Sequence, residues 1–449
     1  MLPGGPPITH CTPMKYVLIL MLTTLSGLII SAGVQTMNRI EVDGQPLFLN
    51  GGNIAWINFA RDIGTGEPRL DLFEALFRDV NANGGNTMRM WLHTTGEQTP
   101  AWEGSTVTGP GEHAIEDLRS ILDLAYDHNV SLMLCLWSFD MLRIRNGPLI
   151  TERAFDLLTD RKKTQSYIDN ALVPMVAALR GHPAIAAWEI FNEAEGMSVE
   201  FGWEFNKHVS MHYIQQFVNM TAGAIRRADP DVKITNGAWS FRVLSSKAPD
   251  MKAEGEPIGP RKSSDWMTVA EIEALRRVME HSYGRSVTLD EAKAHYDQTG
   301  NRGEHRNYYS DDALIAAGGD PDGYLDFYTV HYYSWGGTAI SPFHHDFSYW
   351  ELDKPTAVTE FYVEHTFDIR ADELYQVLYD RGYAGALGWQ WIDHYRKRLR
   401  HPHNWENSLR GMRQIRDNHR EDAELHFRTG KPAPLQRIPA QYPATEHKP

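Results

Sequence analysis

The chain has 449 residues and a formal net charge of −14 at neutral pH. This length suits one large α/β domain or two ordinary domains, and the acidic balance argues against nucleic acid and anionic membrane surfaces as partners. With 13 Trp and 19 Tyr the sequence is rich in aromatic residues, which often line ligand sites. Because a strongly acidic protein repels anionic ligands, a neutral substrate is expected.

The first 36 residues have the character of a targeting segment. Residues 14–33 contain one Lys, a long apolar run and then small residues, which is the pattern of a secretory signal peptide. An uncleaved membrane anchor is the alternative interpretation. We therefore expect the protein to be secreted or periplasmic.

Eight apolar segments follow, and each has the composition of a strand that is covered on both faces. They lie at residues 46–56, 86–92, 131–138, 185–193, 232–239, 327–335, 355–361 and 386–393. Amphipathic segments between them are predicted as helices at 69–85, 113–129, 166–183, 217–230 and 371–382. This alternation predicts an α/β fold, the (β/α)8 TIM barrel. A doubly wound sheet is the competing fold, but its Gly-rich turn opening a helix is missing after the first segment.

One connection is much longer than a single helix requires. Residues 240–326, between the fifth and sixth strands, contain helical patterns at 267–284 and 288–300. We predict a helical insertion on a loop of the active-site face. Residues 37–429 then form one barrel domain, and the Pro-rich tail 430–449 is expected to be disordered.

Function in such a barrel gathers at the carboxyl ends of the strands. Here these ends carry many aromatic residues around a few carboxylates. Sugars stack their C–H faces on aromatic rings and bond their hydroxyls to polar groups, so this composition suggests a carbohydrate ligand. The residues at the ends of the second to eighth strands are Arg89, Trp91, Trp137, Asp140, Asn192, Glu193, Trp239, His331, Tyr333, Trp335, Glu360, Trp389, Trp391 and Asp393.

Two of these residues have the chemistry of a glycosidase. Glu193 and Glu360 end the fourth and seventh strands, which lie on opposing sides of an eight-strand ring. Hydrolysis of a glycosidic bond uses two facing carboxyl groups, one neutral and one ionised. A non-catalytic carbohydrate-binding barrel is an alternative, but it would lack one of the two carboxylates.

Metal-dependent chemistry is not expected. A metal-dependent barrel hydrolase would have paired His residues at the end of the first strand, which instead ends in "NIAW". The His-rich stretch 394–403 is a second possible metal site, but no carboxylate or Cys completes a ligand set there. The sequence therefore predicts a hydrolase with no metal and no cofactor.

These residues, in this order, resemble glycoside hydrolase family five, whose members are retaining glycosidases built on the (β/α)8 barrel. The resemblance covers nearly all of residues 37–420. It implies that Glu193 is the acid/base and that Asn192 bonds the sugar 2-hydroxyl. It implies that Glu360 is the nucleophile, whose negative charge would keep the pKa of Glu193 high.

The same resemblance assigns supporting roles. Arg89 and Tyr333 would bond Glu360 and keep it ionised, with His331 in the same site. Trp389, or next Trp391, would form a sugar platform. About half of the four tryptophans Trp91, Trp137, Trp239 and Trp335 are expected to touch the sugar.

Some positions depart from the family pattern or have a structural interpretation. The third strand ends in Trp137 and Ser138, where many members carry His or Asn, so the subsite beside the acid is undefined. Glu189 is expected inside the barrel, where an arginine could pair with it. Glu195 and Glu364 are expected on loops, solvated or beside the substrate.

The predicted substrate is a β-linked polysaccharide or oligosaccharide, and no protein partner is implied. The segments at 53–64 and 89–93 resemble mannan-cleaving members more than cellulases, which favours cleavage of β-1,4-linked mannan. A β-1,4-glucanase is the alternative. Endo or exo action depends on whether the insertion closes one end of the cleft.

Overall fold

The computed structural model describes residues 38–248, 304–334, 337–391 and 404–433, together with parts of 269–298. The predicted signal segment, the His-rich stretch 394–403 and nearly all of the Pro-rich tail therefore lie outside the described residues. In the part of the chain that is described, no helix is long and apolar enough to cross a membrane.

Eight parallel strands close into a barrel, and their order around the ring follows their order in the chain. Two antiparallel hairpins lie outside the ring: β1 (Ile40–Val42) with β2 (Gln45–Leu47), and β5 (Ala101–Glu103) with β6 (Thr106–Gly109). The barrel strands are β3 (Leu49–Ala55), β4 (Thr87–Thr94), β7 (Ser131–Ser138), β8 (Ile185–Asn192), β9 (Ile234–Ala238), β10 (Tyr328–His331), β11 (Thr356–Glu360) and β12 (Gly385–Gly388). The predicted TIM barrel is confirmed.

Helices follow the barrel strands in the described chain. They are α1 (Leu70–Ala82), α2 (Ala114–Asp127), α3 (Pro148–Thr159), α4 (Arg161–Tyr167), α5 (Val173–Leu179), α6 (Met211–Ala228), α7 (Leu289–Gln298), α8 (Asp311–Gly318), α9 (Leu374–Asp380), α10 (Asn404–Asn418) and α11 (Arg420–Ala423). A π-helical turn at Ile168–Leu172 joins α4 to α5. Helices α7 and α8 belong to the long connection between β9 and β10, as the predicted insertion requires.

Helix α1 illustrates why these segments fold as they do. Phe73, Leu76, Phe77 and Val80 recur at spacings of three and four residues, and all four are buried. This periodicity places them on one face of the helix, against the outside of the barrel. Each such side chain contributes about 1.5–3 kcal/mol through burial.

The strands alternate between the helix layer and the barrel interior. In β4, Met88, Met90 and Leu92 pack in the core beneath the helices, whereas Trp91 packs with the interior residue Cys135. Arg89, between Met88 and Met90, consequently faces inward and is fully buried. This alternation lets one strand supply both the core and the site.

The amino end of the barrel is closed by the first hairpin. Ile40, Val42 and Leu47 form one buried apolar cluster with the interior residues Met133 and Leu387. This end therefore contributes packing, and the open mouth lies at the carboxyl ends of the strands.

Candidate active site

Glu193 follows directly after β8, and its backbone leaves the strand direction there. Its φ angle is +52°, in the left-handed region that non-glycine residues rarely adopt. The N–H of Glu193 donates to the carbonyl oxygen of Gly237 in β9 at 2.8 Å. Strained backbone of this kind concentrates at functional sites.

Glu360 ends β11, and His331 at the end of β10 pairs with it. One ligand-type atom from each of Glu193, His331 and Glu360 lies within 4.8 Å of the others. Retaining glycosidases hold their carboxyl groups about 5–5.5 Å apart, and inverting enzymes about 6.5–9.5 Å apart. The separation of Glu193 and Glu360 therefore fits a retaining mechanism.

His331 lies between the two carboxyl groups. Its Nδ1 is hydrogen-bonded to Glu193 Oε1 at 2.8 Å and lies 3.6 Å from Glu360 Oε2. Burial lowers the pKa of His331 to about 4, so the imidazole is neutral at the pH of most hydrolases. The three side chains are the group among the described residues that could hold a cation, but their facing atoms are already hydrogen-bonded.

Glu360 accepts hydrogen bonds from two donors. Arg89 Nη1 donates to Oε2 at 2.9 Å, and the Tyr333 hydroxyl donates to Oε1. Burial raises the pKa of Glu360 and Glu193 raises it further, while His331, Arg89 and Tyr333 act to lower it. The predicted contacts of Arg89 and Tyr333 are thus present, and both favour the ionised carboxylate.

Arg89 connects four strands through one guanidinium group. It donates to Glu189 Oε2 and Oε1 at 2.6 and 2.9 Å, which confirms the predicted pairing of Glu189 with an arginine. It also donates to Asn192 Oδ1 at 2.8 Å and to Asn53 Oδ1 at 3.2 Å. Bonding of Asn192 to a sugar hydroxyl stays a prediction.

Glu193 lies in surroundings that favour its neutral form. Its pKa is raised to about 8, first by burial and then by the charges of Asp140 and Glu189, against the opposing effect of Arg89. Loss of solvent is the largest cause of this raised pKa, and the repulsion between Glu193 and Glu360 raises the pKa of Glu360.

The end of the third barrel strand, undefined in the sequence, carries a polar chain that leads to Asn192. Asn192 Nδ2 donates to Ser138 Oγ at 3.3 Å, and Ser138 Oγ donates to Asp140 Oδ2 at 2.9 Å. Arg143 Nε lies 2.8 Å from the other oxygen of Asp140. Ser138 and Asp140 are therefore the polar side chains that this strand end brings to Asn192.

The predicted tryptophans divide by exposure. Trp389 is partly exposed beside Trp91, with ring centroids 5.6 Å apart, so it can present a face to a sugar. Trp239 and Trp391 are each only 7 % exposed. Trp335 lies outside the described residues.

Two tryptophans are buried and cannot stack on a sugar. Trp137 has no exposed surface and packs against His93 and Tyr167 beneath the helices, so its prediction as a substrate contact is wrong. Trp91 is 1 % exposed, with the guanidinium of Arg89 4.2 Å from its ring centroid. Its predicted sugar contact is also wrong, and Trp91 supports Arg89 instead.

Glu195 differs from its prediction as well. It lies in the short 3-10 helix Ala194–Met197 with no exposed surface, whereas a solvated or substrate-adjacent loop position was expected. The Tyr309 hydroxyl donates to one of its oxygens. Glu364 is partly exposed on the loop after β11, as predicted.

Some residues around the site were not predicted. Phe139, Trp203 and Phe205 form a partly exposed aromatic group, and the guanidinium of Arg143 lies 4.9 Å from the ring centroids of both phenylalanines. These rings come from loops after β7 and β8, where no periodic pattern marks a side chain that faces the mouth.

Comparison with known proteins places the chain among mannan-degrading enzymes. No family model matches it. It is 31 % identical over 425 residues to a mannan endo-1,4-β-mannosidase of Mytilus edulis, covering 88 % of this chain and 97 % of that protein. A second, from Cryptopygus antarcticus, is 30 % identical over 77 % of this chain and 81 % of its own.

The fold agrees with these relatives. The crystal structure of endo-1,4-β-mannanase from Eisenia fetida superposes with a TM-score of 0.64 at 29 % identity, covering 87 % of this chain and 96 % of that chain. Agreement in sequence, in fold and in the predicted family leads to one assignment. The chain belongs to the family of these mannan endo-1,4-β-mannosidases, within glycoside hydrolase family five.

Proposed function

We propose that the protein is a retaining endo-β-mannanase that cleaves β-1,4-mannosidic bonds with Glu193 as acid/base and Glu360 as nucleophile. The observation that carries this proposal is the pair of carboxyl groups, which approach within 4.8 Å and differ in their surroundings. Burial raises the pKa of both groups, but Arg89 and Tyr333 donate to Glu360 and favour its ionised form, whereas the pKa of Glu193 reaches about 8. One group is thus held ready as an anion and the other as an acid.

In the first step the Glu360 carboxylate attacks the anomeric carbon of the sugar on the glycone side. The bond from that carbon to the bridging oxygen breaks, and the proton of Glu193 passes to this oxygen. The shortened sugar chain leaves, and a mannosyl ester of Glu360 remains. Arg89 and Tyr333 orient the attacking carboxylate.

In the second step a water molecule takes the place of the departed sugar. Glu193, now ionised, accepts a proton from this water, whose oxygen bonds to the anomeric carbon while the ester bond to Glu360 breaks. Glu360 is released as a carboxylate and Glu193 is again protonated. The stereochemistry at the anomeric carbon is retained after two inversions.

The proposed substrate follows from the relatives. Both curated relatives carry the name mannan endo-1,4-β-mannosidase, and this chain spans 97 % and 81 % of their lengths. The partly exposed ring of Trp389, which packs against Trp91, supplies a platform for the flat face of a mannose unit. A β-1,4-glucan would meet the same carboxyl groups, so substrate choice must be measured directly.

The test uses purified protein lacking the first 36 residues, incubated with mannan, glucomannan, carboxymethyl cellulose and mixed-linkage glucan while reducing ends are followed. We expect release from mannan and glucomannan with a rapid fall in chain length, the mark of endo cleavage. Glu360→Ala should lower the rate by about 10⁴-fold or more, as loss of a catalytic residue does in other hydrolases. Release from glucans alone would refute the substrate, and full activity of Glu360→Ala would refute the nucleophile.

We also propose that residues 14–33 direct export of the barrel domain 37–429 and the tail 430–449 that follows it. The apolar run preceded by Lys15 supports this. Expression of the full chain in a secreting host, followed by mass spectrometry of the amino terminus, tests it. A product that retains residues 14–33 in the membrane fraction would favour an anchor instead.

A further inference from the structure

Glu195 is a buried carboxyl group that the two-step mechanism does not use. It lies two residues after Glu193 and has no exposed surface. One oxygen accepts the backbone N–H of Trp239 at 3.2 Å, and the other accepts the hydroxyl of Tyr309. A buried carboxyl is costly unless it is hydrogen-bonded, and here both oxygens are engaged.

The first of these bonds continues the pairing of β8 with β9. Regular pairing ends at Gly237, whose carbonyl oxygen accepts the N–H of Glu193 at 2.8 Å. The chain then turns away at the left-handed backbone of Glu193. The Glu195 carboxylate supplies the next bond to the β9 edge, to Trp239, at a point where the backbone no longer can.

The second bond reaches the long connection between β9 and β10. The N–H of Tyr309 donates to Asn307 Oδ1 at 2.9 Å, and Asn307 Nδ2 donates to the hydroxyl of Tyr328 in β10 at 3.0 Å. Tyr309 is itself fully buried. Its hydroxyl is therefore fixed relative to the barrel, and it holds Glu195 from the connection between β9 and β10.

We infer that Glu195 and Tyr309 form a positioning pair that holds the turn of Glu193, so that its carboxyl group meets the bridging oxygen of the substrate. This inference rests on the proposed role of Glu193 as acid/base. Neither residue of the pair touches the reacting atoms. Their effect is geometric: a displacement of about 1 Å in a catalytic group can cost roughly 100-fold in rate.

The test exploits the fact that only some leaving groups need an acid. Mannan releases a sugar alkoxide and depends on protonation by Glu193, whereas dinitrophenyl β-mannobioside releases a stable phenolate and does not. The parameter kcat/KM covers the steps through formation of the glycosyl-enzyme, so it isolates the acid role from the later base role. Glu193→Ala should lose activity on mannan far more than on the aryl substrate.

Glu195→Ala and Tyr309→Phe are expected to follow the same pattern as Glu193→Ala. Glu195→Ala removes both acceptor oxygens, so kcat/KM on mannan should fall roughly 10–100-fold. Tyr309→Phe removes one bond and should cause a smaller loss. For both variants the loss on dinitrophenyl β-mannobioside should be much smaller than the loss on mannan.

A matched control is available at the other end of the barrel, where Tyr379 donates to Asp422. Tyr379→Phe breaks a bond of the same type and should leave the ratio of the two activities unchanged. Equal losses on both substrates in Tyr309→Phe, or no loss, would overturn the inference. If Glu193→Ala itself lost both activities equally, the proposed acid/base would fail instead, so the two failures are distinguishable.

Discussion

Each end of the barrel has a carboxylate that accepts hydrogen bonds from an arginine and a tyrosine, but the two groups serve different purposes. At the carboxyl end, Arg89 and Tyr333 donate to Glu360. At the amino end, Arg39 Nη2 donates to Asp422 at 2.8 Å, and the Tyr379 hydroxyl donates to the same carboxylate. The hydrogen-bond pattern alone therefore does not distinguish an active site from a structural anchor.

The difference lies in what else surrounds the carboxylate. The side chain of Asp422 is 34 % exposed, and its bonds from Arg39 and Tyr379 outweigh burial and lower its pKa. The side chain of Glu360 is 8 % exposed, and burial together with the nearby Glu193 raises its pKa. Glu360 thus differs from Asp422 in two respects: a second carboxyl group, Glu193, lies close to it, and its side chain is largely shielded from water.

The largest effect separating the two ends is expected from paired Tyr→Phe substitutions. Tyr333→Phe removes one of two donors that orient Glu360, so kcat on mannan should fall roughly 10–100-fold while the unfolding free energy changes little. Tyr379→Phe should leave kcat unchanged and lower the unfolding free energy by about 1 kcal/mol. Steady-state kinetics and urea denaturation of both variants measure this, and a loss of kcat in Tyr379→Phe would break the comparison.

A second, smaller effect concerns the pH dependence of the carboxyl end. Glu193 must be protonated to act as the acid, and its pKa is raised to about 8, so kcat/KM on mannan should fall as pH rises above about 8. Asp140→Asn removes a negative charge beside Glu193, which should lower this pKa and move the alkaline limb to lower pH. The charges of Arg89, Arg143 and Glu189 still act on Glu193 in that variant, so the shift reports the effect of Asp140 alone.

Asp422→Asn is the control for this pH experiment, because it removes a carboxylate at the other end of the barrel. Its pH–rate profile should coincide with that of the wild type. An alkaline limb that stays in place in Asp140→Asn would show that Asp140 does not influence the acid.

The smallest expected effect is the acid sensitivity of the amino end. The folded-state pKa of Asp422 is lowered, so its contribution to stability is present above the unfolded pKa and is lost as pH falls through the folded pKa. Because the side chain is partly exposed, Asp422→Asn should cost less than about 1 kcal/mol at neutral pH. The difference from wild type should shrink below about pH 4, which urea denaturation at pH 7 and pH 3 would reveal. A constant difference would contradict the assignment.

Much of the site could be predicted because a barrel converts strand order into spatial position. Once eight strands are recognised, residues that end them must meet at one mouth, however far apart they lie in the chain. Arg89, His331, Tyr333 and Glu360 are brought together with Glu193 in this way. The end of the barrel that carries this site was therefore predictable as well.

The misassigned residues lie where regular alternation ends. Counting by two places Trp137 on the inward side with Met133 and Cys135, yet its ring packs with His93 and Tyr167. The neighbouring strand β4 has a register shift between Trp91 and Thr94, and Thr94 pairs with Trp137, so the sheet is irregular beside this tryptophan. The contact of Glu195 with Tyr309 was not predictable either, because Tyr309 lies in the long connection between β9 and β10, where strand order does not fix its position.

Helices α3 and α10 and the β5–β6 hairpin were also not predicted. The buried positions of α10 are Asn404, Ser408, Gly411, Met412 and Ile415, of which three are polar or lack a side chain. Because the buried face of α10 is made largely of polar residues and glycine, the sequence shows no hydrophobic periodicity that would predict this helix.

The fully buried guanidinium of Arg89 has a consequence for how the barrel folds. Its partners Asn53, Glu189, Asn192 and Glu360 come from three other strands, and they meet only when the ring closes in the correct alignment. A ring that closed with one strand slipped would bury a cation without partners, at a cost of several kcal/mol. The hydrogen bonds of Arg89 therefore favour the correct strand alignment over slipped ones. A barrel that has closed in this alignment already contains its assembled active site.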